Sequence, residues 1–476
     1  MAPLAAALSA FVFLEVPIAG VGVPAVVIWL VAAGVFFTFR LGFVNVRGFG
    51  HGLALLGGRL SSSRGGGAHG EVSHFQALAT AISGTVGIGN IGGVAVAITL
   101  GGPGAAFWLF TAGALGMATK FAECTLGVRY RREQPDGTIS GGPMYYLQQG
   151  LAERGLPRLG RVLGTGYAAG LVVGCLGIGN MFQANQAFVQ FVVVTGGEAS
   201  WFADRGWLCG LVLAGLVWSV TVGGIRTIAR VTRVLVPFMA LLYLATAAVV
   251  LATNVSVLPL ALARIVGDAF ATDAVAGGAL GALVIGFQRA VFSNEAGIGS
   301  ASIAHSAVRT DHPAAEGHVA LLEPFIDTMV ICMATALVIV TTDLLAPDFA
   351  AGLDGIAMTS AAFARVVPFF PPLLAAAALL FAFSTMLAWS YYGLKGWTFL
   401  VGERRRAERG FQLVFCAFVV LGATIELASV LAFSDAMVFL ICIPNIVGLY
   451  LLAPRVREEI ARYAAWRTGE IPEERG

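Results

Sequence analysis

The chain has 476 residues, of which 58% are apolar and only 12% charged, and its net charge is +2. A soluble domain carries about 25% charged residues. That deficit, with a mean hydropathy of +0.83, leaves too little polar surface for a water-soluble particle. The 61 Gly residues suit packed transmembrane helices, in which small residues let backbones approach closely. The six Cys (Cys124, Cys175, Cys209, Cys332, Cys416 and Cys442) are isolated. No CxxC or Cys/His pair has metal-ligand spacing. No cofactor and no nucleic-acid partner are expected.

Taken in order, apolar runs long enough to span a bilayer lie near 20–38, 75–100, 104–128, 165–194, 207–222, 234–252, 276–303, 319–342, 370–395, 411–431 and 434–453. Eleven spans are therefore expected in an all-α polytopic membrane protein. Residues 1–38 hold no Lys or Arg. A cleaved signal peptide needs a basic start, so this end reads as mature and as lying outside. With that orientation, 24 of the 29 Lys and Arg fall in inside loops and 3 outside, while Lys120 and Arg289 fall within spans. This is the positive-inside asymmetry. It predicts a plasma-membrane protein, a bacterial inner-membrane one, with its C-terminus in the cytoplasm and lipid as its surroundings. The Ser/Gly-rich stretch 61–67 reads as a mobile cytoplasmic loop. Tyr463 and Trp466 suggest a short interfacial helix.

Two spans do not read as simple helices. Residues Ser83 to Gly93 include five Gly, one Ser, one Thr and one Asn. Each Gly costs a helix interior nearly ~1 kcal/mol against Ala, and unwound backbone at membrane depth is tolerated only where it lines a cavity or is buried in protein. The competing reading is a Gly-rich packing face, but packing motifs place small residues at every fourth position and here they are nearly continuous. The run Gly286 to Ser300 is interrupted by Arg289, Ser293, Asn294, Glu295, Gly297 and Gly299. Its charges point by default to a functional or a structural role. Alternatively, Arg289 pairs with Glu295 or Glu123 and only fixes the fold.

The first break lies in the second expected span and the other in the seventh. An odd offset reverses the direction of travel, so the pattern describes an inverted repeat of five helices plus five, with one extra N-terminal helix. The boundaries that follow are 1–74 (extra helix and loop), 75–253 (first repeat), 254–455 (second repeat) and 456–476 (cytoplasmic tail). A half-helix starting after Gly89 presents free N–H groups and a positive dipole end to a carboxylate. Unwound carbonyls on the other side suit a cation or an ammonium group.

Several linked motifs, over residues from about 35 to 455, carry a resemblance. They are Phe75-Gln76-Ala77-Leu78 leading into Gly84-Thr85-Val86-Gly87-Ile88-Gly89-Asn90, Gly101-Gly102-Pro103-Gly104 with Phe107-Trp108, Gly116 to Glu123, Gly141-Gly142-Pro143-Met144-Tyr145-Tyr146, Val291-Phe292-Ser293-Asn294-Glu295-Ala296-Gly297, and Ala388-Trp389-Ser390-Tyr391-Tyr392-Gly393. At these residues the sequence resembles the alanine or glycine:cation symporters, the sodium:alanine symporter family. It departs at Ile88, where a second hydroxyl is frequent, at Leu109-Phe110, at Ala290, where Gly is usual, and at Ser302, where Pro is common. The resemblance implies the leucine-transporter type of fold, coupling to sodium and occasionally to protons, and alanine or glycine as substrate.

The site expectations follow. The carboxylate takes backbone N–H groups around Gly87, Gly89 and Asn90, where the dipole argument and the resemblance agree. The ammonium takes carbonyls near Thr85 and Phe287, with Gln183 or Gln186 nearby. These two Gln sit in a stretch unusually polar for mid-membrane, which interhelical hydrogen bonding also explains. Phe287, Val291, Met386 and Trp389 are the side-chain pocket, or simple core. By resemblance to the fold, sodium takes the carbonyls of Ser83 and Val86 with the hydroxyls of Ser384 and Thr385. Asn90, Asn294 and Asp327 are candidates for a second ion or its outer shell, although Asp327 could equally pair with Arg289. The span 234–252 holds no Lys or His, and the six His fall in loops or at span ends (His74, His305, His312 and His318 among them). Both points favour sodium over protons.

A channel would repeat in parallel around an axis, which an odd offset opposes. An intramembrane enzyme would need a Ser/His, paired-Asp or His-rich constellation at depth. None is visible, since Asp327 reads as the only Asp deep in a span.

Overall fold

The computed structural model describes residues 8–18, 20–60, 70–134, 137–271, 278–346, 349, 352–353 and 355–470. The stretch 61–67, expected to be mobile, lies outside them. Two short strands, β1 (Glu15–Ile18) and β2 (Val21–Pro24), pair antiparallel and lead into helix α1 (Ala25–Arg40). A bend of 64° separates α1 from the helical stretch Val44–Leu56. Helix α2 (His74–Thr85) starts at a capping box, in which Gln76 N–H donates to Ser73 Oγ and Ser73 N–H donates to Gln76 Oε1. Then come α3 (Gly92–Gly101), α4 (Gly104–Arg129), α5 (Pro143–Glu153), α6 (Pro157–Leu176) and α7 (Phe182–Val194). Pro at the first position of α5 and α6 supplies a preset φ where no N–H is needed.

The chain continues through α8 (Gly206–Thr221), α9 (Gly224–Thr253), α10 (Gly278–Asn294), α11 (Ala301–His305), α12 (Pro313–Ala320), α13 (Met333–Leu345), α14 (Gly355–Ala364), α15 (Phe370–Val401), α16 (Arg405–Gly422) and α17 (Leu427–Thr468). Two π-helical segments interrupt otherwise continuous rods: Gly177–Met181 between α6 and α7, and Phe325–Cys332 ahead of α13. Single π turns are rare and concentrate at functional sites.

Among the described residues, six helices are long and apolar enough to cross a membrane, or up to eight if each of two bent pairs is one span. Eleven were expected. Part of the difference is physical: the seventh expected span is cut short at Asn294, and α8 has only 16 residues. The separate interfacial helix expected around Tyr463 and Trp466 is instead the unbroken end of α17, so the segment 456–476 begins inside that helix.

Burial sorts the helices. Every residue of α15 from Ser384 to Gly393 is buried, which makes this rod central. Helix α9 exposes Val234, Phe238, Leu241 and Val249, an apolar outer face suited to lipid. Helices α2, α4, α7, α10 and α15 enclose the two interrupted stretches.

Candidate functional site

The first interruption begins where α2 ends. Val86 and Gly87 are extended, Ile88–Asn90 form one tight 3-10 turn, and α3 starts at Gly92. The two half-helices meet at 59°. Asn90 closes the turn by accepting the Gly87 N–H on Oδ1 at 2.8 Å. The Ile88 N–H donates to Gln183 Oε1 at 3.2 Å. Two of the N–H groups freed by the break are thus held by side-chain amides.

The second interruption follows α10. Glu295, Gly297 and Gly299 all have left-handed backbone, with φ of 57, 94 and 84°. Glu295 is notable, because a non-glycine residue there is uncommon. Its carboxylate accepts from Trp389 Nε1 at 2.9 Å and from Ser300 Oγ. Gly297 donates its N–H to Glu123 Oε1 at 2.9 Å, and Asn445 Nδ2 reaches both Glu123 Oε1 and the Gly297 carbonyl at 2.8 Å.

Three of the residues singled out in the sequence converge at the first break. A Cβ on Gly87 would lie 2.6 Å from Thr385 Oγ1 and 3.2 Å from Gln183 Oε1. Thr385 is 1% exposed and its hydroxyl has no hydrogen-bond partner among the described residues. A buried hydroxyl without a partner costs about 1–3 kcal/mol, so its position beside an unwound turn fits an oxygen ligand for a cation. Ser384 is turned elsewhere: its hydroxyl donates to the Phe381 carbonyl at 2.9 Å and lies 3.6 Å from Met239 Sδ on α9. Ser83 and Thr85 hydroxyls return to carbonyls of their own helix, Thr80 for Ser83 and Ala81 and Ile82 for Thr85. Val86 is fully buried at the end of that helix. Gly89 faces the Phe292 ring, 3.5 Å from where its Cβ would be. Gln186 donates to Asn185 Oδ1 at 3.1 Å, and its Oε1 faces Gly355.

The four side chains expected to form one pocket occupy two places. Phe287 and Val291, with Asn294, line a cavity of about 20 Å³ against Leu30 and Gly116, between α10, α1 and α4. Met386 and Trp389 are fully buried in α15. The Trp389 indole lies against Gly179, where a Cβ would come within 1.9 Å of Cγ.

The π-helical segment Phe325–Cys332 gathers both interruptions around Asp327. Asn90 Nδ2 donates to Asp327 Oδ1 at 2.6 Å. Ser293 Oγ and Thr328 Oγ1 donate to Oδ2 at 2.8 and 2.7 Å. Asn294 Nδ2 reaches Thr328 Oγ1 at 3.0 Å. Thr335 and Thr359 hydroxyls take the Asn90 and Ile91 carbonyls. Thr328, Thr335 and Thr359 were not anticipated, and Phe292 and Ser293 were singled out only within the interrupted run and its motif, without a role. The Ser293-Asn294 pair beside an interrupted span was a usable signal, whereas a π turn leaves no mark in hydropathy.

The expected pairing of Arg289 is corrected. Arg289 pairs with Asp435 of α17, not with Glu295, Glu123 or Asp327, because the left-handed turn at Glu295 carries that carboxylate to Trp389 and Glu123 is taken by Gly297 and Asn445. His305 closes α11 and is fully buried, 2.5 Å from Glu316 Oε1 and 3.7 Å from Glu323 Oε2. Glu316 also binds His74, and Glu323 binds Lys120 at 3.2 Å.

The profile of the sodium:alanine symporter family matches residues 13–474. The chain belongs to this family. The sodium/alanine symporter AgcS of Methanococcus maripaludis is 38% identical over 451 residues, 94% of this chain and 96% of that protein. The probable sodium/glutamine symporter GlnT of Bacillus subtilis is 34% identical over 440 residues, covering 92% and 87%. The crystal structure of MhsT in complex with L-phenylalanine has a similar fold, with a TM-score of 0.54 over 84% of this chain and all of that one, at 16% identity. The chain is thus a multi-pass membrane protein of a sodium-coupled amino-acid transporter family, as the motifs around Gly87 and Asn294 implied.

Proposed function

We propose that this member of the sodium:alanine symporter family carries a small neutral amino acid, alanine or glycine, into the cell together with sodium by alternating access. The observation that carries the reading is the convergence of Gly87, Gln183 and the unpartnered Thr385 hydroxyl at the first break. A substrate carboxylate takes over the Gly87 N–H from Asn90 and the Ile88 N–H from Gln183 and adds the Gly89 N–H, and the positive end of α3 favours its charge. The released Gln183 amide oxygen then faces the substrate ammonium. Sodium sits beside Thr385, among carbonyls of Ser83 and Val86. Asn90 and Asn294 belong to the shell of Asp327, the candidate for a second cation.

In this reading the helices form eleven spans: one extra helix within 1–74, five in 75–253 and five in 254–455, the second group inverted with respect to the first. The N-terminus is outside and the C-terminal segment is cytoplasmic. Alternating access exposes the two interruptions to each side in turn.

The test is radiolabelled alanine and glycine uptake into proteoliposomes of the purified protein, with an inward gradient of sodium, of protons, or of neither. Saturable uptake that follows the sodium gradient is the expected result. Uptake driven equally by protons without sodium would overturn the coupling ion, and non-saturable flux would favour a channel.

A further inference from the structure

We propose that the groove between α1 and α17, where both carry arginines, is a binding site for an anionic phospholipid. The groove encloses about 690 Å³ and is lined by Phe36, Phe39, Arg40, Leu41, Arg457 and Ile460. It shares no residue with the transport site.

The lining has two chemistries in a fixed order. Phe36 and Phe39 are 37 and 66% exposed, and they lie along α1 before Arg40. Phe36 meets Tyr450 of α17 edge-on at 4.9 Å, while Phe37 stacks on the same ring, so the apolar wall is held rigidly. Arg40 ends α1, and Arg457 stands opposite on α17. Neither guanidinium has an ion-pair partner among the described residues. Their neighbours differ: Arg455 pairs with Glu458 and Glu153, and Arg462 approaches Glu459. Arg457, which faces the groove, has no such carboxylate beside it among the described residues.

The occupant must bring hydrocarbon to the aromatic wall and a negative group to two arginines at its end. Free phosphate satisfies the arginines but leaves Phe39 facing water. A lipid with a net negative headgroup supplies both in the order in which the groove presents them, and basic pockets between spanning helices bind such headgroups.

The experiment is native mass spectrometry of the purified full chain with three probes: dioleoylphosphatidylglycerol, dioleoylphosphatidylcholine with the same acyl chains, and glycerol 3-phosphate. The wild type is expected to retain phosphatidylglycerol about tenfold more tightly than phosphatidylcholine, and glycerol 3-phosphate at equal concentration is expected not to displace it. The Arg40→Gln/Arg457→Gln variant is expected to lose the preference, and Arg158→Gln/Arg161→Gln, at exposed positions of α6, to keep it. If the double variant is unstable, each single variant, Arg40→Gln and Arg457→Gln, is expected to lose about threefold. Equal retention of both lipids by the wild type overturns the proposal. So does displacement by glycerol 3-phosphate, or an undiminished preference in the arginine variants.

Discussion

Asn90 joins two parts of the protein through one amide: its Oδ1 accepts the Gly87 N–H at 2.8 Å while its Nδ2 donates to Asp327 Oδ1 at 2.6 Å. The tight turn at the first break is therefore held by a carboxylate on a different span. Asp327→Ala removes the acceptor of three donors (Asn90, Ser293 and Thr328) and leaves them buried. A loss of about 1–3 kcal/mol is expected for each group left without a partner, seen as a lower melting temperature. Asp327→Asn retains one acceptor oxygen and is expected to melt closer to the wild type, while uptake falls in both variants.

Gly87 has no room for a side chain. Its Cβ would stand 2.6 Å from Thr385 Oγ1, well inside contact distance. Gly87→Ala is expected to reduce alanine uptake more than tenfold while the protein still reaches the membrane. Uptake within twofold of the wild type would remove this contact from the site.

The Thr385 hydroxyl separates ligand from packing roles. Thr385→Val keeps the volume and loses the oxygen, whereas Thr385→Ser keeps the oxygen and loses a methyl. The sodium concentration for half-maximal uptake is expected to rise at least tenfold in Thr385→Val and to stay within about threefold in Thr385→Ser. The comparison is read from uptake at fixed alanine over a sodium series.

Glu316 holds two histidines at once, one on each oxygen: His74 at the start of α2 and His305 at the end of α11. It ties together the half-helices that lead to the two breaks. A backbone pairing of Val72 with Val308 runs alongside. Removing one partner of a buried pair typically costs about 3–5 kcal/mol, so Glu316→Ala is expected to lower the melting temperature by several degrees. Glu316→Gln, which still offers one acceptor, is expected to recover part of it.

Arg289 and Asp435 link α10 to α17, and the guanidinium also lies 5.2 Å from the Phe292 ring centre. Each single alanine variant leaves the other charge, buried for Arg289 and half-buried for Asp435, without its partner. Removing both is expected to be less harmful than the sum of the two, with a coupling of at least about 1 kcal/mol by thermal unfolding.

The sequence made the two interruptions legible because their residue types are costly in lipid. Gly84 to Gly93 cannot make a good helix, and Arg289 with Glu295 demands partners. Which partners they find was not legible. The Glu295 carboxylate points to Trp389 only because its φ is 57°, and single-sequence patterning does not encode a left-handed glutamate. Asp327 stood out as an acid in an apolar run, but its three donors are brought to it by a π turn whose extra residue per turn shifts every later side chain around the helix. Phe287 and Val291 share one face of α10, and that face meets α1 and α4 rather than α15. Apolar periodicity identifies such a face without saying which neighbour covers it.

The fit of Trp389 against Gly179 has a mechanical consequence. No side chain fits at Gly179 beside the indole, so α15 and the α6–α7 rod are in close contact at this height. The same indole holds Glu295 by a single hydrogen bond. Of these two contacts, one is close packing and the other a single hydrogen bond. If access alternates as proposed, parting at Glu295 costs one hydrogen bond while parting at Gly179 opens a close-packed contact, so Trp389 would travel with the rod.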